Sequence, residues 1–501
     1  MVASPPVVES SSRLGLLRRS PSFAYLFLAT AGSSIGTYLA AVALTVDVYD
    51  ETGSGVWVAA LLIADFLPIV LIGLLLGPLV DRLSRRRLMI VSDLVRCGVF
   101  AALLLPFVDS AAAVVGLAAV SGIATGFFVP AGVAGLPNLV PDDELTNANS
   151  LIVTIETLAA MIGPVLGGIM LALFGTSVPY AVNAVTFLVS AALIARIPRH
   201  KLQSDESLSR GHWRDVADGL RLVVTARPLR TVLVVWNVVI LGAAAVNVAE
   251  VVFAKKTLGA GNLGFGALVA ASGVGLVLGS FLAPNALDKA GLRRAYVSSI
   301  VLMGVGWGAA ALSGSIWLAV LFVIGGAAGN GAAVVCNRLL VQRGVPDQYR
   351  GRALVTIMSS NYAVLGLGMA AAGVLTDLFG ARAVWLAAGC IYLVGSFVAL
   401  LMTRWLPAAH SDEWEAVEVS SESAVAALGH VATNGVEPEP EPELLPEPEL
   451  LPELPPELLP EPELTPLPVA NGIRPSGLER IATLLEEIEV RRDLEAQRRS
   501  R

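Results

Sequence analysis

Long apolar stretches alternate with short polar ones over the first 404 positions of the chain. Twelve such stretches can be drawn, at 22–46, 56–78, 88–108, 111–136, 147–173, 176–196, 230–253, 263–285, 294–313, 315–340, 352–377 and 381–403. A helix crosses the hydrocarbon core of a bilayer in about 20 residues. Each stretch therefore suffices for one crossing, and the pattern predicts an all-α polytopic membrane protein of twelve transmembrane helices. Gly and Ala recur in most of the stretches, which lets neighbouring helices approach closely in lipid. Beyond position 404 the pattern ends.

Composition agrees with the pattern. Of 501 residues, 55% are hydrophobic and 15% are charged. A soluble chain carries about 25% charged residues, so a soluble enzyme is excluded. The first twenty residues, MVASPPVVESSSRLGLLRRS, lack the apolar core of a cleavable signal peptide. Charge is uneven along the chain. The net charge of −7 divides into +7 over residues 1–404 and −14 over residues 405–501. Within the first part, Lys and Arg gather before the first stretch and in every second loop, leaving only Lys255, Lys256 and Arg382 for the others. Basic loops stay in the cytoplasm, so both termini are expected there, in a bacterial-type inner membrane.

The chain divides into a cytoplasmic segment (1–20), a six-helix bundle (21–196), a linker (197–229), a second six-helix bundle (230–404), an acidic Pro/Glu/Leu-rich tail (405–475) and a terminal amphipathic helix (476–501). In the linker, Trp213, Val216, Leu220, Val223 and Val224 share a helical face. An interfacial amphipathic helix and a solvated linker helix both fit that pattern. The tail repeats EPEPEPELLPEPELLPELPPELL, in which proline and like charge favour an extended, disordered chain. The closing stripe of Leu478, Ile481, Leu485 and Ile488 offers a surface for self-association or a protein partner, and an inert extension fits equally.

The two six-helix parts repeat. LVPDDELTNANSL and GVPDQYRGRALVT align at an offset of 205, which also carries Gly163, Gly168, Phe174 and Gly175 onto Gly368, Gly373, Phe379 and Gly380. GPLVDRLSRRR maps onto PNALDKAGLRR at an offset of 207, bringing Asp81 onto Asp288. Repeated halves around a shared site are the architecture of alternating-access transporters.

Several motifs resemble the major facilitator superfamily over residues 20–404. GPLVDRLSRRR is similar to that superfamily's signature between helices 2 and 3, with Ser84 where a Gly is usual. AAMIGPVLGG resembles the Gly-Pro motif of its exporter branch, with Ala159 replacing the first Gly and Gly163, Pro164, Gly167 and Gly168 kept. LPNLVPDDELTNANSL resembles the branch that holds enterobactin and macrolide exporters. The resemblance implies a cytoplasmic gate in which Gly77 and Asp81 act with Arg82, Arg85 and Arg86, Asp81 engaging a helix terminus of the other half. It also implies a bend in helix 5 at Gly163, Pro164, Gly167 and Gly168. Simple topology anchoring and ordinary close packing are the competing explanations.

Ionisable groups inside a membrane are costly and so mark function. Asp65 and Glu156 each lie about nine residues into their stretch, roughly 14 Å deep at 1.5 Å per residue. They are the expected proton carriers, because a carboxyl group can gain and lose a proton as its exposure changes, with a carboxylate hydrogen-bonded inside the bundle as the alternative. The repeat places Asn361 at the position equivalent to Glu156, so any proton site is one-sided. Asp93 and Arg96 are a second candidate for proton coupling, with a structural i,i+3 ion pair as the alternative. Asp47 and Glu250 read as interfacial, with Lys255 or Lys256 beside Glu250.

A substrate cavity is expected between stretches 1, 4, 7 and 10, lined by Ser34, Tyr38, Phe127, Phe128, Trp236, Asn237, Asn330, Asn361 and Tyr362. Aromatic and amide groups together suit small amphipathic organic molecules. The three cysteines, Cys97, Cys336 and Cys390, lie far apart in apolar stretches and read as core residues, and the four histidines fall in loops or the tail. No metal spacing, nucleotide loop or disulfide framework is present in the sequence. No cofactor and no nucleic-acid partner is expected. The sequence therefore points to export of amphipathic molecules by proton antiport. Nutrient import by the same fold and a transporter-like scaffold presenting its tail remain open.

Overall fold

The computed structural model describes residues 15–75, 83–108, 110–202, 221–344, 347–406 and 417. The tail, the residues Gly77, Asp81 and Arg82, and most of the linker, including Trp213, Val216 and Leu220, lie outside the described residues.

A helix coincides with each of the twelve expected stretches. These are α1 (Pro21–Thr52), α2 (Gly55–Leu75), α3 (Arg85–Ala102), α4 (Ala111–Gly135), α5 (Leu145–Phe174) and α6 (Ser177–Ala195) in the first half. The second half has α7 (Arg227–Val252), the segment Gly261–Leu312, which is α8 and α9 meeting at Gly291, then α10 (Ile316–Arg343), α11 (Asp347–Phe379) and α12 (Ala381–Met402). Only glycine takes the left-handed φ of 77° at Gly291 without strain, and this is where the expected loop between stretches 8 and 9 falls. Among the described residues there is no strand, and ten helices, the continuous α8–α9 segment counted as one, are long and apolar enough to cross a membrane.

Local sequence explains the ends. Ser20 caps α1 by accepting from the Phe23 N–H at 3.4 Å, with Pro21 at the first helical position. Gly53, at φ 62°, closes the same helix by donating to the Tyr49 carbonyl at 2.8 Å.

The helix α3 is not among the ten, and the reason is informative. It ends at Ala102 rather than near 108, and it carries Arg85, Arg86, Arg87, Asp93 and Arg96 in 18 residues. Its buried positions, Arg85, Met89, Ser92, Asp93, Arg96, Val99 and Phe100, recur at helical spacing. Its opposite face exposes Val91, Leu94 and Val95. The polar face turns inward and the apolar face outward, the reverse of a soluble helix and the arrangement a lipid environment favours. The same inversion holds elsewhere, as Phe281 (80% exposed) and Leu367 (74%) illustrate.

Within the first half α1 packs on α5 and α6, α2 on α4, and α3 on α4 and α6; within the second, α7 packs on α11 and α12 and the α8–α9 segment on α10 and α12. Two seams join the halves, α2 against α11 and α5 against α8. Small residues set the spacing. A Cβ added at Gly279 would sit 1.8 Å from the Ala328 carbonyl oxygen on α10. Gly279→Ala must push the helices apart, and is expected to cost about 1–3 kcal/mol, read as a lower thermal midpoint in detergent.

The sequence places all three cysteines in the core, and the structure corrects one of them: Cys390 is exposed, on the outer face of α12. The linker face is corrected as well. Val223 is buried, but the neighbouring Val224 points out, so the two do not share a face.

Candidate functional site

The end of the bundle that carries the arginine-rich loops is termed the basic end, and the opposite end the far end. The space between the halves is lined at mid-depth from four helices. Tyr38 comes from α1, Asp65 and Phe66 from α2, Glu156 from α5 and Tyr362 from α11. Asp65, Glu156 and Tyr362 all lie within electrostatic reach of the Tyr38 hydroxyl. Asp65 and Glu156 are both exposed, as are Tyr38 (41%) and Tyr362 (36%). Among the described residues neither carboxylate is in an ion pair. Across the seam the Phe66 and Tyr362 rings stack with centroids 6.1 Å apart, joining α2 to α11 beside the acidic pair.

Behind this space lies a dry polar cluster. Asp93, fully buried, pairs with Arg96 one turn along α3 and accepts a hydrogen bond from Ser190 of α6 at 2.7 Å. The Arg96 guanidinium is held between the Phe128 and Phe187 rings, at 4.4 and 4.3 Å from their centroids. Arginine stacks on aromatic faces and keeps its charge, which lets it sit here under hydrocarbon. Arg96 also lies within electrostatic reach of Asp65. It therefore stands between the buried carboxylate and an exposed one.

The Glu156 side chain lines a cleft running toward the basic end, with Thr30, Phe128, Gly132, Asn149 and Ile152. At about 90 Å³ it is smaller than the roughly 300–1,000 Å³ of small-molecule sites, so it fits water rather than an organic molecule. A larger cavity among α7, α11 and α12 is lined by Leu241, Ala245, Gly368, Leu375 and Val384 and contains none of the expected site residues.

The remaining expected residues occupy mixed positions. Ser34 and Asn330 are half-buried. Phe127 packs on the apolar cluster at the basic end of the first half, and Trp236 on the main core. Asn237 donates to the Ser360 hydroxyl at 2.8 Å, tying α7 to α11. The Oδ1 of Asn361 is shielded and has no partner among the described residues.

At the basic end, Arg85 donates to the carbonyls of Ala134 (3.0 Å) and Leu202 (3.3 Å), and Arg86 to that of Ala195. The Ala134 and Ala195 carbonyls lie in the last turns of α4 and α6, where a helix leaves acceptors without intrahelical partners, and the Leu202 carbonyl lies just beyond α6. The two arginines thus brace their own half. The helix α5 runs unbroken through Pro164. Its glycines serve two contacts: Gly163 and Gly167 lie against Tyr38 and Leu39 of α1, and Gly168 meets Gly266 of α8.

The expectation for Glu250 is overturned. Glu250 is only 8% exposed, and its Oε1 has no partner among the described residues. Lys255 instead binds Asp50 of α1 and Asn262 of α8. Asp47 accepts from the Tyr180 hydroxyl at 3.0 Å, inside the first half. Lys255 lies in the π-helical turn Phe253–Thr257 that follows α7, and its partners there are Asp50 and Asn262 rather than Glu250, which proximity in sequence does not reveal.

Asp377 lies in the last turn of α11, at the far end. Its carboxylate accepts from the Ser54 hydroxyl at 2.6 Å and from the backbone N–H groups of Gly55 and Val56, the first residues of α2. The signal in sequence was a lone acid at a helix end facing a Ser-Gly helix start 322 residues away, which no local pattern connects.

Residues 12–430 match the family described as "Transmembrane secretion effector". The chain is 29% identical over 402 residues to the multidrug efflux pump Tap of Mycolicibacterium fortuitum, covering 77% of this chain and 97% of that one. It is 28% identical over 370 residues to a putative bacilysin exporter, BacE, of Bacillus amyloliquefaciens, covering 73% and 90%. Among solved structures, a bacterial homologue of the iron transporter ferroportin in its inward-facing state superposes with a TM-score of 0.62 at 14% identity, covering 77% of this chain and 99% of that one.

Proposed function

The chain belongs to the transmembrane secretion effector family of the major facilitator superfamily, and on that premise we propose that it exports small amphipathic organic molecules in exchange for protons. It is a multi-pass membrane transporter and not an enzyme. The observation that carries the proposal is the pair Asp65 and Glu156, exposed around Tyr38 between the halves and paired with no cation among the described residues. Unpaired carboxylates at mid-depth are suited to carrying protons, and equally to attracting a cationic substrate. Exposed aromatic rings of Tyr38 and Tyr362 beside them supply the apolar contact. The relatives named for multidrug efflux and for bacilysin export support the outward direction.

With the basic loops in the cytoplasm, the far end faces outward. The close approaches between halves then lie on the outer side. Gly168 meets Gly266 across one seam, and Gly373 meets Gly55, Val56 and Ala59 across the other. The repeat relates Gly168 to Gly373, so the closure is built twice from equivalent positions. The cleft below Glu156 runs toward the cytoplasm, as required for loading from inside. In the opposite conformer the Asp81 loop would hold the inner side shut.

Proteoliposome flux under an imposed pH gradient tests this reading, with ethidium as a cationic amphipathic probe. Antiport moves ethidium and protons in opposite directions. Parallel movement would indicate an importer, and no movement a scaffold. Deletion after Arg404 is expected to leave most of the flux in place, because the proposed site lies wholly in α1–α12.

A further inference from the structure

The two seams that close the far end are not equivalent. Among the described residues the α5–α8 seam closes by apolar packing without a hydrogen bond, Gly168 on Gly266 and Met161 on Gly273. The α2–α11 seam has the matching glycine contact at Gly373 and, one turn farther, the Asp377 carboxylate. The repeat offset of 205 places Ala172 at the equivalent position on α5, so the carboxylate is not inherited from the symmetry of the fold.

Asp377 makes three contacts, all with the other half. One oxygen accepts from the Gly55 N–H. The other accepts from the Ser54 hydroxyl at 2.6 Å and from the Val56 N–H at 3.3 Å. Ser54 is itself fixed locally, since its own Oγ accepts from Val56 and its N–H donates to the Thr52 hydroxyl. A helix start leaves N–H groups without partners and carries partial positive charge. Here α2 receives its capping carboxylate from α11 of the opposite half, 322 residues away. The cap therefore exists only while the far end is shut. When the halves separate there, the first N–H groups of α2 pass to water and the carboxylate loses its donors together.

We propose that Asp377 is the latch of the conformer closed at the far end: a carboxylate on α11 that caps α2 across the seam and sets the balance between the two access states. The Asp50–Lys255–Asn262 contact, at the same end between α1 and the α7–α8 turn, reinforces it. This inference rests on the alternating-access part of the proposed function and not on protons or substrate.

The test places spin labels at Ser177→Cys and Gly314→Cys, exposed far-end positions in opposite halves and outside the latch. The background replaces Cys97, Cys336 and Cys390 by Ala, in lipid nanodiscs without substrate. The parent is expected to populate mainly the short distance. Asp377→Ala is expected to raise the ratio of long to short distance about tenfold, the scale of a lost helix cap. Ser54→Ala, which removes one donor and keeps the carboxylate, moves it the same way by about two- to threefold. Two distances in the parent with unchanged weights in Asp377→Ala overturn the latch and leave rocking intact, including where the variant melts earlier. One fixed distance in every variant overturns rocking and the latch together.

Discussion

Glu156→Gln is expected to abolish uphill export while leaving a folded, inserted protein. The side chain is exposed in the space between the halves and has no ion-pair partner among the described residues. The isosteric amide therefore breaks no contact, and exposed substitutions of this kind change stability by only about 0.5 kcal/mol. What it removes is the capacity to bind and release a proton. A gradient of one pH unit is worth about 1.4 kcal/mol per proton and supports about tenfold accumulation through one-for-one exchange. In vesicles carrying the parent, the accumulated probe should approach that ratio and collapse when the gradient is discharged. In vesicles carrying Glu156→Gln the ratio should stay near one, with downhill equilibration retained. Sustained uphill accumulation by this variant would remove Glu156 from the coupling mechanism. Asp65→Asn provides the second arm. Asp65 lies in the field of Arg96, so its loss is expected to affect coupling without unfolding α2.

Breaking the Asp93–Arg96 pair is expected to have the largest effect on stability. Both partners are withdrawn from solvent, with side chains 0% and 5% exposed. Removing one leaves a buried charge with no counter-charge, at a cost of about 3–5 kcal/mol. Arg96→Met should therefore lower the thermal midpoint by on the order of 10 °C for a unit the size of the first half. Loss of the guanidinium between Phe128 and Phe187 adds to the effect. The double variant Asp93→Leu with Arg96→Met leaves no uncompensated charge and should recover most of the loss, as apolar replacements of buried pairs often do. Its transport then separates the two roles open for this pair. If the stable double variant still drives accumulation, the pair is a structural clamp between α3 and α6. If it is stable but uncoupled, the pair takes part in proton movement and the clamp interpretation fails.

The contrast between these two acidic groups shows where sequence reasoning reached its limit. Spacing alone put Asp93 and Arg96 one turn apart, and an i,i+3 pair is a local fact that the helix itself enforces. That Ser190 of α6 completes the pair and that two phenyl rings hold the guanidinium depends on helices nearly a hundred residues apart. For Glu250 and Lys255 the same local logic failed. Neighbouring positions near a helix end suggested a pair, but the turn after α7 directs Lys255 toward Asp50 and leaves Glu250 buried.

By itself the sequence determined the properties that follow from periodicity and composition. These are an all-helical membrane chain, the approximate positions of its helices, the internal repeat, and the placing of Asp65 and Glu156 well inside long apolar helices. They are legible because a bilayer demands long apolar segments, and because caps, glycines and arginines act within a few residues of themselves. Only the tertiary structure decided which groups meet across the seams: Phe66 with Tyr362, Gly168 with Gly266, and Asp377 with the start of α2. Those contacts join residues far apart in the sequence, and lipid gives every apolar helix face nearly the same solvent. The choice of partner therefore falls to close packing and to the few polar groups that must find donors, and neither leaves a local trace in the order of amino acids.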